Sequence, residues 1–187
     1  MAHHIVPSKI THKEPLPEGH FINFLEEKLG KDHGNYLYAT NACEMDDVSN
    51  SEFFQILCEK HSIDGIITAD GGSDSLMRGD ECDIASVYED YLSMISANDI
   101  MKERKEKIKF ATLLVFGFGT DRFHGATDAS SMRAVAELTR MGGFLGSCSI
   151  MPGSKGFELF SDFYQYMAQR MTKRSIVSAM ILASAVG

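Results

Sequence analysis

The sequence predicts an α/β protein of Rossmann-like, doubly wound architecture: a mostly parallel sheet with helices on both faces, three layers in all. Three observations predict it. Apolar runs of strand length alternate with longer stretches in which apolar residues recur every three or four positions. The segments between successive strands are long enough for the helical crossovers that parallel strands require. The two best strands, residues 63–69 and 110–116, are continuously apolar rather than alternating, as expected where both faces of a sheet are covered, and each runs straight into a loop rich in glycine and acid.

Taken in order, residues 1–20 carry Pro7, Pro15 and Pro17 with little periodicity and read as an extended lead-in to a single domain spanning 1–187. Residues 21–29 set Phe21, Phe24, Leu25 and Leu29 on one helical stripe that Gly30 stops, and 35–40 is a short aromatic strand. Ser51 is positioned to cap a helix with Phe53, Phe54, Leu57 and Cys58 on one face. Strand 63–69 and loop 70–81 follow. Residues 84–97 return to helical spacing, with Ile84, Val87, Tyr88, Tyr91, Met94 and Ile95 inward and Glu89 and Asp90 outward. The charge run 102–107 is a solvated connection leading into 110–116, the expected central strand. Asp128 then caps a helix over 129–141 that Gly142 stops, and 143–150 is one more short strand. Phe157, Phe160, Tyr164, Met167 and Met171 mark an amphipathic helix whose stripe is core. Residues 176–186 are apolar but fall short of the ~20 needed to cross a bilayer, so a buried element is expected. Both ends read as incomplete, which predicts an uncovered sheet edge and a marginally stable, self-associating chain.

Composition excludes several classes. Apolar residues at 44% and charged residues at 24% are ordinary for a globular domain. A net charge of -8 with scattered lysines and arginines leaves no basic stripe for nucleic acid and disfavours an anionic membrane surface. Cys43, Cys58, Cys82 and Cys148 form no CxxC pair, and the N-terminus holds no apolar stretch of signal-peptide length. Reduced thiols and a cytoplasmic location are expected.

The candidate site lies in two loops. DGGSDSLMRGDE, residues 70–81, packs four acids, one arginine and three glycines into twelve positions. In open α/β sheets ligands sit beyond the carboxyl ends of the strands, which is where this loop falls. Asp70 closes the strand, Gly71, Gly72 and Gly79 let the backbone turn and approach a ligand, Ser73 and Ser75 offer hydroxyls, and Asp74, Asp80 and Glu81 surround Arg78. A tight turn in which Asp74 caps a helix and Arg78 pairs with Asp80 or Glu81 is the competing structural reading. The second loop, GFGTDRFHG at 117–125, sets Asp121, Arg122 and His124 among Gly117, Gly119 and Gly125, and lacks the full GxGxxG dinucleotide fingerprint. If the two strands are adjacent and parallel, both loops open on one edge; Asp70, Asp74 and Asp121 then crowd one cavity with His124 at its rim, and crowding raises the pKa of one acid.

On these two motifs and the stretch AVAELTRMGGFLGSCSI, the sequence from roughly residue 20 onward resembles a family known as domain of unknown function 1152. The resemblance marks Asp70, Gly71, Gly72, Asp74, Ser75, Arg78, Gly79, Asp80 and Glu81, then Gly117, Gly119, Asp121, His124 and Gly125. It implies a partial member, because family members begin with an apolar strand entering a glycine-rich loop that has no match here and run on past the point where this chain stops. The family name supplies no reaction. The expected function is a small-molecule-binding protein, and as an enzyme one that hydrolyses or transfers a group of a phosphorylated or nucleotide-like metabolite. Arg78 would hold the anion, Asp74, Asp80 and Asp121 a Mg2+ ion, and His124, Asp74 and Asp121 the chemistry. A non-catalytic, degenerate ligand-binding module is the alternative, and a homo-oligomer is the expected assembly.

Overall fold

The computed structural model describes residues 3–4, 17–30, 36–39, 46–82, 84 and 87–187. Their elements run β1 (His3–His4), α1 (Pro17–Leu29), β2 (Tyr38–Ala39), α2 (Asp47–Lys60), β3 (Gly65–Asp70), a 3-10 turn (Asp74–Leu76), α3 (Val87–Glu103), β4 (Phe110–Val115), α4 (Asp128–Arg140), α5 (Lys155–Ala168) and α6 (Ile176–Val186). Contacts group the chain into two units, residues 42–147 and residues 1–41 with 148–187.

The doubly wound, three-layer sheet is not formed. Among the described residues, β3 and β4 are the only parallel pair, and β1 and β2 make a separate two-residue antiparallel pair in the other unit. The expected strand at 143–150 makes no ladder: Gly143 and Gly146 and the solvent-exposed side chains of 144–149 leave little to bury against a neighbour. The expected strand at 35–40 reduces to Tyr38–Ala39, with Asn35 and Thr40 outside the described residues.

In the 42–147 unit, α3 lies across β3 and β4 and α2 packs on α3, so one face of the strand pair is covered. Cys58, Ile66, Ala97, Ile100 and Ile108 form the core, with Phe54, Ile63 and Ala111 against it. The opposite face leaves Ile67 60% and Leu114 51% exposed. That face is why sequence alone misleads here: strands apolar on both sides imply two covering layers, and among the described residues of this unit these have one.

Helix starts follow local chemistry. Asp46, not Ser51, caps α2, and a reciprocal capping box forms: its carboxylate accepts the Ser49 N–H at 2.8 Å while Ser49 Oγ accepts the Asp46 N–H at 3.0 Å. Asp46→Ala is expected to lower the urea midpoint of unfolding, because the α2 N-terminus loses its cap. Thr127 caps α4, and Asp128 is its first residue. The α3 helix continues through Lys102 and Glu103, so part of the charge run is helical. Its inward stripe is also rotated from the expected one. Leu92, Ser96, Ala97 and Ile100 are buried, whereas Tyr88 and Ile95 are exposed. The rotation is fixed by a buried polar bridge, in which Asn50 Nδ2 of α2 donates to Ser96 Oγ (2.9 Å) and to the Leu92 carbonyl (3.3 Å) of α3.

In the other unit, Pro17 opens α1, where a missing N–H costs nothing, ahead of the expected helix start within the lead-in. Helix α1 packs on α5 through Phe24, whose ring meets Phe163 and Tyr166 at centroid separations of 5.2 and 5.4 Å. The apolar α6 contacts α5 but buries none of its residues, correcting the expectation of a buried element.

Candidate functional site

Strands β3 and β4 run in parallel with Asp70 opposite Val115, so the loops that follow them leave from the same edge. The Phe116 N–H extends the pairing by donating to the Asp70 carbonyl at 2.8 Å. Loop 70–81 then coils into the 3-10 turn at Asp74, and 117–125 forms successive turns bearing Gly117, Gly119 and Gly125 at φ of 85, 86 and 86°.

Two glycines let the loops interlock. A Cβ on Gly72 would lie 2.0 Å from Asp121 Oδ2; that space is taken by the Asp121 carboxylate, which accepts the Ser73 N–H at 2.5 Å. A Cβ on Gly125 would lie 2.7 Å from the Ile84 backbone and 2.9 Å from the Cys82 carbonyl oxygen. Loop 117–125 thus fills the space that a side chain at Gly72 would need, and the segment just after loop 70–81 fills the one that a side chain at Gly125 would need. Beneath them Ser73 and Ser131 are buried, with hydroxyls 3.5 Å apart.

The interlock concentrates acid. Asp74 is 8% exposed. Burial first, and then the nearby charges of Asp70 and Asp121, push its carboxyl up from the ordinary 3.8 to about 6. A carboxylate oxygen of Asp70, of Asp74 and of Asp90 from α3 all lie within 4.8 Å of one another. Beside them a cavity of about 170 Å³ is lined by Asp70, Ser75, Asp90 and Ser93, with apolar walls from Phe54 and Met94.

Other residues expected at the site have different work. Arg78 ion-pairs with Glu137 of α4 at 2.8 Å, and the Glu81 carboxylate accepts the N–H groups of Arg78 (3.0 Å) and Gly79 (2.9 Å), closing its own turn. Asp80 is exposed, so the three expected cation ligands, Asp74, Asp80 and Asp121, do not come together as a set. Gly71 is exposed with open space around it. His124 is exposed on its turn, bonded through its backbone N–H to the Asp121 carbonyl at 2.8 Å, and does not line the cavity. Arg122 lies 3.6 Å from Asp128 and donates to the Gly119 carbonyl.

Asp90 is the residue that sequence reading placed on the wrong side. The signal was present: Ser93, Ala97 and Ile100 recur at helical steps from it, and following that stripe back by two turns from the buried Ala97 reaches Asp90. Of the thiols, Cys58 is buried, Cys82 and Cys148 are exposed and free, and Cys43 lies outside the described residues. A wider depression of about 270 Å³ between α2 and α3 is walled by Asp47, Glu52, Asp99 and Glu103 on the solvated sides of both helices.

No family model, curated protein or solved structure matches the chain. No helix among the described residues is long and apolar enough to cross a membrane.

Proposed function

We propose that this protein binds a small phosphorylated or nucleotide-like metabolite in the crevice between loops 70–81 and 117–125, and that hydrolysis or group transfer is its reaction class. The observation supporting this reading is the interlock at the carboxyl edge of β3 and β4, which sets the Asp70, Asp74 and Asp121 charges against one another. Like charges gathered at a strand edge are costly to a fold and are a recurrent feature of reactive sites. Asp74, whose carboxyl is pushed up to about 6, has the character of a general acid or base. Resemblance to the family of domain of unknown function 1152 supports the same loops as the site. The net charge of -8 favours a small ligand over nucleic acid, and we place the protein in the cytoplasm as a self-associating species.

One observation favours a second reading, a non-catalytic binding module: Arg78 and Glu81, the obvious ligand-holding pair, are engaged in holding the loop together. Native mass spectrometry of the purified chain should show a retained phosphorylated metabolite. Incubation with that compound then separates the readings, since turnover supports the enzyme and retention without turnover supports the module. If no phosphorylated compound is retained and none in a nucleotide and sugar-phosphate panel shifts the melting temperature, both readings fall.

A further inference from the structure

We propose that Asp70, Asp74 and Asp90, together with the Ser75 hydroxyl, form a binding site for a divalent hard cation of the Mg2+ class at the cavity between β3 and α3 that Asp70, Ser75 and Asp90 line. Three carboxylates from three separate elements, the end of β3, the 3-10 turn and α3, bring an oxygen each to within 4.8 Å of the others. That spacing lets one ion touch all three, because hard cations hold oxygen at about 2.0–2.6 Å.

The second, independent observation is Ser75. It is 5% exposed, it lines the same cavity as Asp70 and Asp90, and among the described residues its Oγ has no hydrogen-bond partner. A buried hydroxyl without a partner costs about 1–3 kcal/mol, and native folds keep such groups where a ligand or ion completes them. Here the hydroxyl supplies a neutral oxygen donor beside the three anionic ones.

The donor set selects the ion. Among the described residues no histidine or cysteine lines the cavity, so the soft and borderline ligands that favour Zn2+ are not part of this donor set. A volume of about 170 Å³ leaves room for several water molecules, and Mg2+ keeps part of its hydration while taking one or two carboxylates and a phosphate oxygen. This site deepens the proposed function and rests on it for its purpose, since a bridging cation lets carboxylates hold the phosphate of an anionic metabolite.

The test uses the full chain with the metal alone. Titration with MnCl2, followed by the loss of the free-ion paramagnetic resonance signal, should show one site per chain from which MgCl2 displaces it. Asp90→Asn should weaken Mn2+ at least about tenfold, through loss of ligand charge. Ser75→Ala should weaken it about threefold, as expected for one neutral oxygen. Circular dichroism checks that each variant is folded, and Asp70→Asn replaces Asp90→Asn if the latter is not. A wild-type chain with no stoichiometric site tighter than about 1 mM, or folded Asp90→Asn binding Mn2+ like wild type, overturns the proposal. Because no metabolite is present, metal binding without metabolite retention supports this site and counts against the proposed function alone.

Discussion

Gly125→Ala is expected to destabilise the protein by about 4 kcal/mol. Two costs combine. At φ of +86° any side chain occupies the left-handed region, worth about 1–2 kcal/mol. The new Cβ also meets the Ile84 backbone at 2.7 Å, and overpacking against main chain adds about 2–3 kcal/mol because no rotamer change relieves it. Gly72→Ala is the informative comparison. Its Cβ would meet a side chain, the Asp121 carboxylate at 2.0 Å, so the expected cost is about 2 kcal/mol and part of it should vanish when Asp121→Ala is added. Urea denaturation of the four members of that cycle should give a coupling of about 1 kcal/mol or more. Additive effects, or a Gly125→Ala loss below about 1 kcal/mol, would mean that the loops do not interlock.

Lowering the pH from 7 to 5 in the presence of a chelator is expected to stabilise the protein through Asp74. Its folded carboxyl titrates at about 6, above the ordinary 3.8, so the folded state binds the proton more tightly than the unfolded chain. The resulting stabilisation is complete below about 3.8 and is lost as the pH rises through about 6. The gap between the two values corresponds to at most about 3 kcal/mol, which screening by water at the loop reduces to about 1.5. Asp74→Asn, which cannot ionise, should therefore gain about 1.5 kcal/mol at pH 7 and about half as much at pH 5. An Asp74→Asn variant that is less stable than wild type at pH 7, or whose advantage does not change with pH, contradicts this account. The same variant loses a proposed cation ligand, so stability and binding should move in opposite directions.

Local chemistry was readable from the sequence, and layer count was not. The spacing of Phe21, Phe24 and Leu25, the stop at Gly30 and the stop at Gly142 each follow from residue type and backbone preference, and the structure has helices there. Adjacency of the 63–69 and 110–116 runs was a condition that the sequence left open, and the structure meets it with a parallel pairing. Whether a third or fourth strand joins is a property of the whole chain. Residues 143–150 have the composition of a strand, yet pairing depends on a neighbour that their local sequence does not encode. The site divides in the same way. Asp70, Asp74 and Asp121 were visible as acids beside glycines in two strand-end loops. Asp90 was hidden because its role depends on the rotation of α3, which Tyr88 and Ile95 disguise by being apolar and exposed.

The Asn50 bridge acts on that rotation as an indexing pin. Each residue along an α-helix turns the side chain by about 100°, and Asp90 and Ser96 are separated by about 9 Å along the axis. A bond from α2 to Ser96 therefore sets the compass bearing of Asp90 without touching it. Slipping α3 by a single position against α2 would swing Asp90 away from Asp70, exchanging the chemistry of the cavity while every hydrogen bond of the helix itself survives.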